Sequence, residues 1–300
     1  MEFIKYTFDY PGEVVDLLNI CFPDKKISNQ TFSWKHFDDY FKNKSVAMLA
    51  IENSKVCAFV CFTPLIITDR QSIDRVFYSC AVQATHPDYR RRGLVTNLTK
   101  MIEDQLDPNT SFLGFSNEDG IKIDKYSKKI NYQIMGQLSS KYILSLPYAT
   151  DIKVLPVSKI SDDCYQRTHL FHINKNMKYL QWRYSHNPKS PYKCFKLIQK
   201  SNIIGCIYCK ESRFKYNVSD LILAQQTPES SLSAIKAFSR YALSKGRFVT
   251  SYSYLNNDFW KRSFPTISLT KKIPIYFTIK SIETDALQVD NWLIQGGDVQ

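Results

Sequence analysis

Apolar residues at one-turn spacing begin the chain. Val14, Leu17, Leu18 and Cys21 form one stripe, which predicts a helix starting near Pro11, capped by Asp9 or Tyr10 and ended by Phe22-Pro23. Residues 28–42 give a second helical region that contains Trp34-Lys35-His36-Phe37. Apolar runs over residues 47–51 and 56–62 read as strands, joined by the turn Glu52-Asn53-Ser54-Lys55. Residues 76–82 form another strand-like run, and 94–106 a helix with Leu94, Leu98, Met101 and Ile102 on one face. A strand over 111–117, a helix over 121–129 and a closing strand over 136–146 follow.

The chain is organised around the stretch between that strand and that helix, His86-Pro87-Asp88-Tyr89-Arg90-Arg91-Arg92-Gly93-Leu94-Val95. A helix N-terminus leaves its first amides without intrahelical acceptors, and its dipole favours an anion. Gly93 allows close approach of a ligand to the backbone. The guest this predicts is a pyrophosphate. The competing reading is an exposed basic turn with no ligand.

Composition narrows the partner. The 300 residues suit two domains, and 44% hydrophobic with 14% aromatic content supports packed cores. A net charge of +12 points to an anionic partner. The basic residues are spread along the chain, which fits phosphorylated small ligands. No helix-turn-helix pattern or zinc spacing accompanies the charge, so neither a nucleic-acid partner nor a metal is expected. The N-terminus is not a signal peptide, no run reaches membrane-spanning length, and no membrane partner is expected. Of the eight cysteines, Cys206 and Cys209 form a C-x-x-C inside a strand-like run, where they face opposite ways and make a poor metal or redox pair. All eight read as free thiols of a reducing cytoplasm.

The order strand, Pro, Arg-x-x-Gly, amphipathic helix resembles the acyl-CoA signature of the GNAT N-acyltransferases, Arg/Gln-x-x-Gly-x-Gly/Ala. Here it reads Arg90-Arg91-Arg92-Gly93-Leu94-Val95, with Val95 departing from the small final residue. Gly114-Phe115-Ser116-Asn117-Glu118 and Lys128-Lys129-Ile130-Asn131-Tyr132 are similar to further stretches of a GNAT subgroup. The resemblance implies an α/β fold: a mixed, mostly antiparallel sheet flanked by helices, with acyl-CoA between splayed central strands. It implies that Gln83, Ala84 and Thr85 line the pantetheine arm, that residues Arg90 to Val95 hold the pyrophosphate, and that Asn117 lies beside the cofactor. In many GNAT enzymes a Tyr two residues before the second Lys protonates the departing thiolate. That position is Ser127 here, and Tyr126 is its neighbour.

The second half repeats the first. Trp34-Lys35-His36 is echoed by Trp182-Arg183-Tyr184, and Ser54-Lys55-Val56 by Ser201-Asn202-Ile203. A period near half the chain implies two copies of one fold, residues 1–148 and 149–300. The counterpart of the organising turn, residues 223–231, lacks Arg-x-x-Gly and carries Glu229 where an anion would sit. The first copy is therefore expected to bind acyl-CoA, and the second to complete the acceptor site. This layout resembles the tandem-GNAT sugar N-acyltransferases, as do Trp182-Arg183-Tyr184 and the terminal Asn291-Trp292 and Gly296-Gly297-Asp298.

Acyl transfer from a thioester needs an uncharged amine, a polarised carbonyl and an exit for thiolate. His36, Asp298 and Glu118 are the base candidates. A structural imidazole, a disordered tail and a helix cap are the competing readings. Tyr126 is the acid candidate. Trp182, Arg183 and Tyr184 are the acceptor candidates, with Arg183 able to hold a nucleotide phosphate or to bridge the halves. The expected protein is a cytoplasmic monomer or homodimer. It would move an acyl group from acyl-CoA, by direct attack, to the amine of a nucleotide-linked (dTDP-type) deoxyamino sugar for surface polysaccharide. An antibiotic or protein acetyltransferase and a non-catalytic CoA-binding module are the alternatives.

Overall fold

A computed structural model describes all residues except 8–10, 39, 42–44, 127–130, 159–165, 190 and 300. The first half runs β1 (Glu2–Lys5), α1 (Pro11–Cys21), α2 (Asn29–Phe37), β2 (Val46–Glu52), β3 (Lys55–Thr68), β4 (Asp74–Thr85), α3 (Leu94–Glu103), β5 (Ser111–Asn117), α4 (Glu118–Tyr126) and β6 (Gln133–Leu144). The second runs β7 (Lys153–Val157), β8 (His172–Ile173), α5 (Met177–Leu180), β9 (Lys193–Gln199), β10 (Asn202–Glu211), β11 (Lys215–Leu223), α6 (Pro228–Ser244), β12 (Val249–Leu255), α7 (Asp258–Ser263) and β13 (Ser268–Lys280). The first helix opens at Pro11 as expected, but its proposed cap at Asp9 or Tyr10 lies outside the described residues. Ser28 caps α2 by accepting from the Thr31 amide. That helix ends at Phe37, short of the expected 42.

The strands are longer than their apolar runs. β3 continues past Phe62 to Thr68, and β4 begins at Asp74 and reaches Thr85. The core of β3, Cys57 to Phe62, is wholly buried. Phe59 and Cys61 face α1 and α2, whereas Ala58, Val60 and Phe62 face α3. Cover on both faces explains the unbroken apolar run. Cys206 and Cys209 fall in different core clusters, on opposite faces of β10.

All described strands join one 13-stranded sheet in the order β1-β2-β3-β4-β5-β13-β6-β12-β11-β10-β9-β7, with β8 on β3. The centre of this order is an exchange. β13, the last strand of the chain, lies between β5 and β6 and pairs antiparallel with both. β6 in turn lies between β13 and β12. The sheet of each half therefore contains a strand from the other.

The helices are joined in the same reciprocal way. The Trp34 Nε1 donates to the Trp182 carbonyl and the Trp182 Nε1 to the Trp34 carbonyl, both at 2.8 Å. The indoles stack at 5.7 Å. Tyr40 stacks on Trp182 at 5.2 Å and Phe41 meets it edge-on at 4.6 Å. One core cluster takes Leu65, Phe77 and Leu138 from the first half with Ile222, Leu255 and Trp292 from the second.

Two consequences are measurable. A fragment of residues 1–148 lacks β13 and one partner of the indole pair, so it should give no cooperative unfolding transition as a monomer. Trp182→Ala in the full chain should cost about 3–5 kcal/mol in denaturant titration, the usual range for a buried large aromatic. A stable monomeric fragment, or a neutral Trp182→Ala, would contradict this dependence.

Candidate functional site

The organising turn closes a short helical turn over Pro87–Tyr89, which His86 steadies by accepting at Nδ1 from the Asp88 amide. His86 is buried, in keeping with a structural role. Arg90, Arg91 and Arg92 are exposed. Arg90 reaches back toward the Thr85 carbonyl at 3.5 Å, and the Arg92 guanidinium lies 4.9 Å over the Tyr89 ring. Arg91 and Gly93 both have left-handed backbone, with φ of 64° and 70°. Gly93 is the N-cap of α3, and no side chain caps that helix. The first bond from α3 back to the cap is the Asn97 amide on the Gly93 carbonyl. The Leu94, Val95 and Thr96 amides therefore have no intrahelical acceptor. Leu94 and Val95 are buried against β2 and β3. Val95 thus turns its extra bulk into the core and leaves the turn open.

Beside this turn the sheet splits. β4 and β5 pair in parallel only from Phe77/Ser111 to Cys80/Gly114. Beyond that point Ala81–Thr85 stays with β3, and Phe115–Asn117 stays with β13. A wedge opens between them, and Gln83, Ala84 and Thr85 form one of its walls. Asn117 stands at the end of the other wall, where its Oδ1 accepts from the Gly120 amide at the start of α4.

The second half has the same wedge, but it is filled. β11 and β12 pair in parallel only from Lys215/Val249 to Val218/Tyr252. Past that point Gln295 enters between them. Its Oε1 accepts from the Leu221 amide at 2.8 Å and its Nε2 donates to the Leu221 carbonyl at 3.0 Å. The Ile294 carbonyl accepts from the Leu255 amide, and Gln295 bridges to Tyr254. Counted from the first paired residues of each wedge, Leu221 holds the place of Gln83. The adjoining helix is closed as well. Thr227 and Ser230 form a reciprocal cap on α6, and the Gln226 side chain spans the Leu223 amide and the Ser231 hydroxyl.

The tail that fills this wedge also carries one of the predicted site residues. Asp298 is fully buried and lies 2.9 Å from Lys175, which also contacts Asp220 at 2.6 Å. Tyr184 donates to Asp220. A Cβ on Gly297 would fall 2.2 Å from the Tyr184 hydroxyl and 2.3 Å from the Asp220 carboxylate, so the tail can pass here only as glycine. Burial raises Asp298 to about 6, with Asp220 adding to the rise and Lys175 opposing it. Asp298 is thus a buried ion-pair member rather than part of a disordered tail.

The other candidates fall in different places. His36 is 2% exposed, and its Nδ1 has no hydrogen-bond partner among the described residues. Trp182 and Tyr184 are buried, and Arg183 is 7% exposed with its Nη2 on the Val299 carbonyl at 2.6 Å. Those three hold the halves and the tail together, and burial keeps them from an acceptor in this conformation. Glu118 is exposed, one residue past the wedge wall. Tyr126 ends α4, but its side chain and Ser127 lie outside the described residues. Lys175, Gln226 and Gln295 carry no motif, and sequence reasoning misses them. A cavity of about 630 Å3 is lined by Thr68, Arg167, His169, His172, Gln226 and Thr227, and thus lies by the capped turn of the second half. No metal-ligand cluster occurs among the described residues.

No protein-family model matches the chain, and no curated protein matches its sequence. Solved structures do match its fold. A conserved protein of unknown function from Enterococcus faecalis V583, named as an N-acyltransferase candidate, superposes with a TM-score of 0.74 at 13% identity, over 96% of this chain and 73% of that one. A GCN5-related N-acetyltransferase from Anabaena variabilis gives 0.69 at 10% identity, over 94% and 74%. A tandem GNAT protein from the clavulanic acid biosynthesis pathway gives 0.58 at 8% identity, over 93% and 98%. The chain has a GNAT fold. At such identities the likeness speaks for the fold, and the residues must speak for the chemistry.

Within this GNAT fold, burial and the neighbouring Lys35 hold the His36 imidazole well below its ordinary value of 6.5. The unfolded chain therefore binds that proton more readily than the folded one. The stability that neutral His36 supplies is fully present above pH 6.5 and is lost as pH falls below it. The loss should approach about 1.4 kcal/mol per pH unit. His36→Gln should reduce this slope in denaturant titrations between pH 6.5 and 5, whatever its effect on absolute stability. An unchanged slope would place the imidazole in contact with solvent.

Proposed function

We propose that the chain is an N-acyltransferase that takes its acyl group from acyl-CoA in the first half and transfers it directly to an amine. The supporting observation is the asymmetry between the two wedges. In the first, an uncapped helix end with three exposed arginines adjoins an open split in the sheet. In the second, the chain caps the helix end and fills the split. Free amides, left-handed turn geometry and guanidinium groups suit a pyrophosphate. The wall from Gln83 to Thr85 suits the extended amide-bearing arm of pantetheine. The GNAT-fold structures named as acetyltransferases favour the same reading.

The chain's own groups then supply binding, orientation and charge stabilisation. Backbone amides of the β4 wall are placed to stabilise the oxyanion as the amine nitrogen attacks the thioester carbonyl. The C–S bond breaks as the tetrahedral intermediate collapses, and the thiolate leaves with CoA. Fixing the thioester and the amine together provides much of the acceleration. Glu118 is the proposed proton acceptor, since it is exposed at the rim of the wedge while His36 and Asp298 are sealed. The acceptor is proposed to be a small-molecule amine. The narrower reading, a nucleotide-linked deoxyamino sugar for surface polysaccharide, draws on the tandem layout, the net charge of +12 and Arg183 as the group that holds a phosphate. With Arg183 buried on the Val299 carbonyl, the proposal does not rest on that reading.

Gly93→Glu introduces a carboxylate and a strained φ at the anion site. It should remove acetyl-CoA binding in calorimetry while leaving the unfolding transition in place. Glu229→Lys, at the capped turn, should not create a second site. Glu118→Gln should lower kcat by about a hundredfold or more with acetyl-CoA affinity unchanged. Unchanged affinity in Gly93→Glu would overturn the cofactor assignment, and unchanged kcat in Glu118→Gln would overturn the base assignment.

A further inference from the structure

Exposed apolar side chains are unevenly spread over the molecule. Leu144, Phe214, Phe248 and Ile267 are each more than half exposed, and Leu269 is 77% exposed. They lie on neighbouring segments at one end of the sheet. The Phe248 amide donates to the Phe214 carbonyl at 2.9 Å, and the Ser145 amide to the Phe248 carbonyl at 2.8 Å. Ile143 pairs with Ser268, so Ile267 follows across from Leu144. With strands about 4.8 Å apart, the strip runs about 15 Å along the sheet end, and the register sends Leu144, Ile267 and Leu269 toward one face of the sheet and Phe214 and Phe248 toward the other. Single exposed apolar residues are ordinary on a protein surface, but five of them gathered at one end of a sheet mark that end as a contact surface.

The surrounding charge is of one sign. Arg213, Lys245, Lys271 and Lys272 are exposed on the same segments. The Arg213 guanidinium lies 4.9 Å over the Phe214 ring. Glu211 is the one carboxylate on these segments among the described residues, and it is bonded to Arg247 and Lys193. Along β13, Ser268–Lys272 pairs with β6, whereas pairing with β5 begins only at Ile275. The strip therefore projects past the end of β5, on the side where the first wedge opens.

We propose that this end of the sheet docks on an anionic lipid surface. The apolar side chains stand out singly from the sheet end, which suits a surface that deforms around them. Phe214, Phe248, Ile267 and Leu269 enter the interface while the flanking cations meet the headgroups. No helix of the described residues is long and apolar enough to cross a membrane, so the attachment is peripheral and salt-sensitive.

The test is co-sedimentation of the full chain with vesicles of phosphatidylcholine alone and of phosphatidylcholine with phosphatidylglycerol in equal parts. Binding is expected to the anionic vesicles, to weaken with added salt, and to be weak on neutral ones. Lys271→Ala combined with Lys272→Ala should lower the partition coefficient about 25-fold, a factor of about five for each cation lost. Phe214→Ser with Phe248→Ser should remove most binding, and thermal unfolding of both variants verifies that they fold. Equal binding to both vesicle types would overturn the proposal. So would binding unchanged in both variants. A dimer in sedimentation velocity that Phe214→Ser with Phe248→Ser dissolves, without vesicle binding, would assign the strip to a second copy of the chain instead.

Discussion

The structure depends on an exchange between two halves that cannot be completed within either one. A buried indole N–H must find an acceptor, and each of Trp34 and Trp182 finds it on the other's backbone. The same reciprocity holds in the sheet, where β13 and β6 each sit between strands of the opposite half. Both contacts join the two halves of the chain. Side chains there are committed to holding the copies together, whatever role their chemistry would suit elsewhere. This is why Trp182, Arg183 and Tyr184 are buried although they read as a ligand-binding trio.

Two wedges between parallel strands occur, and residues near Gln295 fill one of them. A split between parallel strands leaves backbone amides and carbonyls unpaired on both walls, at a cost of about 1–3 kcal/mol for each group left buried. A primary amide side chain carries one acceptor and two donors, so Gln295 satisfies both backbone groups of Leu221 at once. The tail is locked behind it. Asp298 holds the Gln295 amide, Lys175 lies between Asp298 and Asp220, and Gly297 lets the chain pass the Tyr184 hydroxyl. Removing any one charge of this set would strand the others away from water.

Much of the fold is legible in the sequence, because the apolar periods of α1, α3, β2 and β5 are set by the core they face. The turn from His86 to Gly93 is legible too, since arginines ending in a glycine just ahead of an amphipathic helix mark a helix N-terminus open to an anion. Strand ends at Thr68 and Asp74 are not legible, because polar residues there pair through the backbone and through a Thr68–Asp74 side-chain hydrogen bond, neither of which leaves an apolar period. Nor is the exchange of β6 and β13, since local period specifies a strand but not its neighbour. The Trp-Arg-Tyr stretch shows a further limit: an aromatic and a cation side by side look the same in sequence whether they face a ligand or another part of the chain. Gln295 carries no sequence signal, as its role exists only where two distant strands part.

The asymmetry also bears on the excess positive charge. The one pyrophosphate proposed for the α3 turn would account for a small part of a net +12. If the second wedge were open, a second cofactor would be the natural recipient of the remainder. It is filled by a tail anchored where one buried cation, Lys175, meets two buried carboxylates, Asp298 and Asp220, a set with no excess of positive charge. The surplus therefore belongs to the outer surface, where Lys271 and Lys272 stand beside exposed Leu269. Exposed leucine and phenylalanine are tolerated more easily when like charges around them oppose self-association. In the proposed docking, those same charges favour an anionic surface over a neutral one. Solubility alone would be served by cations placed anywhere on the surface, so their position around one apolar strip is the feature that calls for a partner.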